Sequence, residues 1–258
     1  MSDAATAKRI LSLIDLTNLD DDCPPAAVRA LAAKAETPHG PVAALCVWPA
    51  HVELAADLVS GTGIDVATVV NFPGGDDPLR DVVALTQRAI AAGATEIDTV
   101  IPYRPLLAGN EGAVAEHLAA VREAATGARL KCILETGELR DEAPIRRASE
   151  LAIEGGADFI KTSTGKVATG ATEDAARWML ETIRESGRAD VGLKPSGGIR
   201  TVAEAAGYLA LADANMGEGW AKKATFRFGA SSLLGDVLAA FGNGTPAVAS
   251  PDDTADAY

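Results

Sequence analysis

Cysteine, histidine, positive charge and long apolar runs are all in short supply in this chain, and each shortage excludes something. The three cysteines, Cys23, Cys46 and Cys132, are odd in number and lack metal-type spacing, so they read as small buried hydrophobes rather than a disulfide framework or a zinc site. The three histidines, His39, His51 and His117, are equally scattered, and no metal is expected. No run approaches the roughly 18 uncharged apolar residues that a membrane helix needs. Lys8, Arg9 and Asp15 fall among the N-terminal apolar positions, unlike a signal peptide, which leaves the cytoplasm as the expected location and gives no membrane partner. With 36 acidic against 23 basic residues the net charge is −13, which repels nucleic acid and anionic membranes over most of the surface. An anionic ligand therefore needs a local site.

What is present is a regular alternation. Short β-like runs recur at 14–17, 42–47, 64–70, 95–100, 129–134, 158–161, 190–194 and 225–229, with helix-like segments between them. Val82, Leu85, Ala89 and Ala92 share one helical face before Gly93, and Ala176, Met179, Leu180 and Ile183 follow the i, i+3, i+4, i+7 pattern. Thr201 and Glu204 make a capping box that starts a helix just after "KPSGGIR". Eight strand and helix pairs in 258 residues predict a single (β/α)₈ barrel. The rival, a doubly wound open sheet, normally carries G-x-G-x-x-G after its first strand, and that motif is missing. The segment 243–258 is rich in Pro, Ala, Asp and Thr, so the expected division is a barrel over 1–242 and a short flexible tail over 243–258.

An internal echo locates charge on the barrel axis. "GATEID" at 93–98 matches "GADFIK" at 156–161, which places Asp98 and Lys161 at equivalent strand ends. Ile97, Ile160 and Leu193 alternate with Asp98, Lys161 and Lys194, so if the apolar set faces the helices the charged set faces inward. Glu96 and Lys131 share that parity and are expected deeper down, as a structural ion pair. Barrel active sites sit at strand C-termini, and Asp15, Cys46, Asn71, Asp98, Lys161 and Lys194 fall at or near such ends.

That set suits carbonyl chemistry. A neutral lysine forms a Schiff base with a carbonyl, and the protonated imine serves as electron sink for the adjacent carbon–carbon bond. On this reading Lys161 is the nucleophile, a second ammonium at Lys194 lowers its pKa by repulsion, with desolvation adding to the effect, and Asp98 moves protons. The competing reading is a buried Asp–Lys pair with a spare lysine. "STGK" (163–166), "SGG" (196–198) and "GASS" (229–232) each put small residues at an expected helix start, which presents backbone N–H groups and a positive dipole end to a phosphate. Gly197 and Gly198 permit close approach, Ser231 and Ser232 offer hydroxyls, and Lys166 or Arg200 adds charge. One such turn would be ordinary capping; three in one quarter of a barrel point to an anion site.

The motifs "LIDLTNL", "TVVNFPGG", "EIDTVIPYR", "ILETGEL", "GADFIKTSTGK", "GLKPSGGIRT" and "RFGASSLL" resemble the deoxyribose-phosphate aldolase family from about Lys8 to Phe241. The resemblance implies a class I aldolase that interconverts 2-deoxy-D-ribose 5-phosphate with D-glyceraldehyde 3-phosphate and acetaldehyde in deoxynucleoside breakdown, without metal or organic cofactor and commonly as a homodimer. It gives Lys161 the imine, Lys194 the tuning role and Asp98 the proton shuttle. It sets Gly165, Lys166, Gly197, Gly198, Ser231 and Ser232 around the substrate phosphate, with Asp15, Cys46, Thr164 and Gly229 as further substrate-binding candidates. It also implies that Tyr258 folds back to assist proton transfer. Ser196, Thr99 and Trp48 depart from the family pattern, and Trp48 and Cys46 read equally well as aldehyde-pocket lining or as core packing. Two rivals remain open: another lysine-dependent aldolase or transaldolase-like enzyme, and a non-catalytic sugar-phosphate-binding barrel.

Overall fold

The computed structural model describes residues 3–242. A helix, Asp3–Leu11, leads into β1 (Ile14–Asn18), and seven further strands follow: β2 (Ala44–Val47), β3 (Asp65–Val70), β4 (Glu96–Val100), β5 (Arg129–Ile133), β6 (Phe159–Lys161), β7 (Gly192–Lys194) and β8 (Phe228–Ala230). From β1 to β7 each pairs in parallel with the next, and β8 pairs in parallel with β1. Isolated parallel bridges, Leu193 with Phe226 and Ser196 with Gly229, join β7 to the β8 segment and complete the circle. The result is the (β/α)₈ barrel that the alternation predicts.

The outer layer follows from apolar periodicity. Helix Glu173–Glu185 buries Ala176, Met179, Leu180 and Ile183, and the Met, Leu and Ile side chains each stabilise the fold by about 1.5–3 kcal/mol. Helix Leu79–Ala91 buries Val82 and Ala89 and ends before Gly93, whose φ of 106° suits glycine. Helix Val202–Met216 starts with the expected capping box: Thr201 accepts from the Glu204 N–H, and the Glu204 carboxylate accepts from Thr201 and Arg200. Ile97, Ile160 and Leu193 lie in the layer between strands and helices.

Strand edges differ from expectation where turns capture the backbone. The run 225–229 pairs fully only from Phe228, because the N–H groups of Thr225 and Phe226 both bond the Lys222 carbonyl at 2.8 Å. At 190–194 the Val191 N–H bonds Arg188 O, so pairing starts at Gly192, where a Cβ would lie 2.4 Å from the Phe159 ring. A two-residue hairpin, Glu36–Thr37 with Gly40–Pro41, is present without a periodic signal to predict it. The segment 243–258, expected as a tail, lies outside the described residues, and Tyr258 with it.

Candidate active site

The strand register determines which inward side chains meet. Asp98 on β4 stands opposite Lys131 on β5; Ile133 stands opposite Lys161 on β6; and Lys161 stands level with Lys194 on β7. All four charged side chains are buried. Lys161 Nζ and Lys194 Nζ share one oxygen, Asp98 Oδ2, at 2.9 and 2.7 Å. Lys131 takes the other, Asp98 Oδ1, at 2.9 Å, and also Glu96 Oε2 at 2.5 Å. Lys131 therefore does not sit below the mouth with Glu96 alone, as its sequence position suggests. Its partner across the ladder is Asp98, so its ammonium bridges the two carboxylates of β4.

Asp15 also lies deeper than its place in the sequence suggests. It lies inside β1 rather than at its end and is fully buried, with Arg227 Nη1 on Oδ1 at 2.6 Å. Lys194 Nζ forms an ion pair with Oδ2 at 2.6 Å. Arg227 also bonds Glu96 Oε1 at 2.8 Å. In this linked cluster the acids are Asp15, Glu96 and Asp98, and the fully buried bases are Lys131, Lys194 and Arg227, with Lys161 beside them at 4% exposure; Arg129, partly exposed, also bonds Glu96 Oε1 from the rim. Three carboxylates face four cationic groups, so the set is neutral when one base is neutral.

The surroundings single out Lys161. Burial lowers its pKa, Asp98 opposes that shift, and Lys194 adds to it. Desolvation is thus the leading cause, and repulsion from Lys194, first in the sequence argument, is secondary. Burial would lower Lys194 too, but Asp15 and Asp98 outweigh it and push its pKa up. The same holds for Lys131, held up by Asp98 and Glu96. Burial would raise Asp98, yet Lys131, Lys161 and Lys194 keep its carboxyl well below the usual carboxylate range. Lys161 is the member of the cluster poised to be an amine.

The opposite wall is apolar. Cys46, Ala67, Val69 and Leu19 form a buried cluster backed by Trp48 and Phe72, whose rings meet edge to face at 5.6 Å. Burial raises the Cys46 thiol, so it stays protonated. Trp48 Nε1 donates to Asp20 O at 2.9 Å. Asn71 does not reach the charged cluster: its amide donates to Val100 O and accepts from Asp77 N, tying the loop after β3 to β4.

The three small-residue loops do come together, but not all as helix starts. "STGK" runs on for six residues before helix Glu173–Glu185 begins, with Thr172 as its N-cap. The helix after "SGG" starts at Val202 and is capped by its own Thr201 and Glu204. Only "GASS" runs straight into a helix, Leu233–Ala239. Glycine contact is what assembles them. A Cβ on Gly197 (φ 86°) would lie 3.1 Å from Gly170 Cα and 3.4 Å from Gly165 Cα, and one on Gly170 would lie 2.4 Å from Gly197 O. Gly229 N–H bonds Pro195 O, and a Cβ there would lie 2.6 Å from Ser196 Cβ and 3.1 Å from Lys194 Cε, so this glycine makes room for both side chains. Ser231, Ser232 and Arg200 line a cavity of about 880 Å³ together with Thr17, Asn18 and Lys34. Gly198, at φ 87°, follows Gly197, and Lys166 Nζ lies 3.1 Å from Asp21.

Two residues escape sequence reasoning. Arg227 alternates with Phe226 and Phe228, so its inward parity was there to be read. Glu135 follows β5 in the left-handed region (φ 58°), fully buried, and accepts from Thr164 Oγ1 at 2.5 Å and Thr164 N at 3.2 Å. Burial raises its pKa. No periodic signal marks a carboxylate in that conformation. Thr164 Oγ1 in turn accepts from Lys166 N at 3.0 Å, so Glu135 fixes the 163–166 loop to the end of β5. Among the described residues no group of three His, Cys, Asp or Glu side chains is arranged to hold a metal ion.

Comparison with known proteins agrees with this geometry. Residues 9–236 match the DeoC/LacD family of aldolases. A deoxyribose-phosphate aldolase of Agrobacterium fabrum is 56% identical over 241 residues, covering 93% of each chain. The apo-form crystal structure of a proposed deoxyribose-phosphate aldolase of Toxoplasma gondii ME49 superposes with a TM-score of 0.85 at 28% identity, covering 94% of this chain and 98% of that one. A tetrameric deoxyribose phosphate aldolase of Aeropyrum pernix gives 0.74 at 26% identity, with 92% of both chains covered.

Proposed function

The chain belongs to the DeoC/LacD family of aldolases, and from that premise we propose that it cleaves 2-deoxy-D-ribose 5-phosphate reversibly to D-glyceraldehyde 3-phosphate and acetaldehyde through an imine on Lys161. The observation that carries this reading is the sharing of Asp98 Oδ2 by two lysines inside a cluster with one cation more than its carboxylates balance.

The chemistry follows from those contacts. The Lys161 amine adds to the substrate aldehyde carbon, and the carbinolamine loses water to give an iminium. A base removes the proton of the C3 hydroxyl, the C2–C3 bond breaks, and its electron pair moves into the iminium to leave an enamine. Glyceraldehyde 3-phosphate departs. Protonation of the enamine at its terminal carbon and hydrolysis release acetaldehyde and restore the amine. Asp98, bonded to Lys161, is the proton-transfer group, directly or through water. Lys194 stays charged between Asp15 and Asp98 and supplies the positive field. The apolar wall of Cys46, Ala67 and Val69 suits an enamine without hydroxyl groups, which favours acetaldehyde over a hydroxylated donor. The loops carrying Thr164, Gly165, Lys166, Gly197, Gly198, Ser231 and Ser232 hold the phosphate, and Gly229 gives Lys194 its space.

We also propose a homodimer in the cytoplasm. The tetrameric Aeropyrum pernix relative supports self-association, and no helix among the described residues is long and apolar enough to cross a membrane. Steady-state cleavage of deoxyribose 5-phosphate, compared with free deoxyribose, tests the assignment. A large preference for the phosphorylated sugar, abolished together with turnover in Lys161→Ala, is the expected result. Turnover that survives Lys161→Ala would overturn it.

A further inference from the structure

We propose that Arg227, which touches no reacting atom, is a positioning residue that sets the proton affinity of Lys161 by fixing the charge balance of the barrel interior. The inference rests on Lys161 being the imine-forming amine.

The geometry is a chain of alternating charge. Arg227 Nη1 bonds Asp15 Oδ1 at 2.6 Å, Asp15 Oδ2 lies 2.6 Å from Lys194, Lys194 bonds Asp98 Oδ2 at 2.7 Å, and that oxygen accepts from Lys161 at 2.9 Å. A second branch runs from Arg227 Nη2 to Glu96 at 2.8 Å, then through Lys131 to Asp98. The other groups facing Arg227 are Asp65 at 3.1 Å, the Lys223 carbonyl at 2.7 Å and the Phe159 ring. Asp65, with its further partners Arg129 and Lys223, is partly exposed, and Arg129 also bonds Glu96 Oε1 from that rim, so solvent screens the outer cations more than the buried ones. Around Lys161 the charged or titratable neighbours are Asp98, Lys194, Glu135 and Cys46.

Within the chain of contacts that joins Asp15, Glu96, Asp98, Lys131, Lys161, Lys194 and Arg227, one base must be neutral for charges to cancel; the Glu135 carboxylate is held by Thr164 and stands outside that chain. An arginine cannot give up its proton. Lys131 and Lys194 each lie against at least two carboxylates. Lys161 has one shared carboxylate oxygen, so it is the base that yields. Without the guanidinium charge, three carboxylates would meet three ammonium groups, and Lys161 would keep its proton. Removing the Glu96 charge instead leaves the set one negative charge short and weakens the hold on that proton. The same balance acts on the intermediate: an iminium at Lys161 carries the unbalanced charge, and its collapse to the neutral enamine restores balance.

The test is the acidic limb of the pH profile for deoxyribose 5-phosphate cleavage in full-length protein. A unit charge about 10 Å away at an effective dielectric of about 20 moves a pKa by about one unit. Arg227→Met should therefore move the limb about one pH unit upward, with activity regained at alkaline pH, and Glu96→Gln should move it about as far downward. The double variant should return it close to the wild-type position. A merely structural role lowers the plateau and leaves the limb in place, and that outcome would overturn the proposal. If Arg227→Met does not fold, Glu96→Gln alone still decides, since its limb must move down. Borohydride mapping of the wild-type adduct separates the two readings: an adduct away from Lys161 removes the proposed function, whereas an adduct on Lys161 with unmoved limbs removes only the role of Arg227.

Discussion

Replacing Lys194 with methionine removes one ammonium from the pair that shares Asp98 Oδ2 and leaves a side chain of similar length. The two nitrogens lie 2.9 and 2.7 Å from that oxygen, which puts them about 5 Å apart. At an effective dielectric of about 20, like charges at that distance repel by about 3 kcal/mol, equivalent to about two pH units. Asp98 would also be left with one cation fewer and would hold the Lys161 proton more tightly. Both effects have the same sign: Lys161 becomes a stronger base. The reactive amine fraction at neutral pH should fall about a hundredfold. The assay is kcat against pH, together with borohydride trapping of acetaldehyde at each pH. The acidic limb should move about two units upward, and both trapping and turnover should recover in alkali. A lowered plateau with an unmoved limb would refute the electrostatic role and leave Lys194 as a group that acts by contact.

Ser232→Asp should narrow the preference for deoxyribose 5-phosphate over deoxyribose, since a carboxylate in the cavity shared with Arg200 repels phosphate; an unchanged ratio of kcat/KM values would place the phosphate elsewhere. Gly170→Ala should raise KM for the phosphorylated sugar more than for the free one, because its Cβ would lie 2.4 Å from Gly197 O and push the two loops apart. His117 is buried against Thr99 at 2.8 Å, and burial lowers its pKa to about 4 from an ordinary 6.5. The unfolded state therefore binds the proton first, and about 3 kcal/mol of stability is lost as pH falls from 6.5 towards 4. Thermal midpoints of the wild type should fall through that window and those of His117→Gln should fall less; parallel curves would remove His117 as the cause. Deleting Tyr258 should slow exchange of acetaldehyde methyl protons with solvent far more than it weakens sugar-phosphate binding, and unaltered exchange would deny the tyrosine a part in proton transfer.

Period-two alternation made the barrel and its inward charges legible, because Ile97, Ile160 and Leu193 can face the helices only if Asp98, Lys161 and Lys194 face the axis. Parity does not report depth. Lys131 shares parity with Glu96, yet the ladder sets it opposite Asp98, and Asp15 lies inside its strand rather than at the rim. The three small-residue loops were visible as clusters in the sequence. Their assembly through Gly165, Gly170 and Gly197 depends on long-range backbone contact that spacing along one chain does not encode. Glu135 was hidden for a different reason: its role comes from a left-handed backbone conformation at a strand end, which a non-glycine residue seldom adopts.

The central claim is that Lys161, and not the neighbouring Lys194, is the nucleophilic amine, and reductive trapping tests it most directly. Wild-type protein incubated with acetaldehyde and borohydride should carry one ethyl group, mapped by peptide mass spectrometry to Lys161, and Lys161→Ala should carry none under the same conditions. An ethyl group mapped to Lys194 in the wild type would contradict the account.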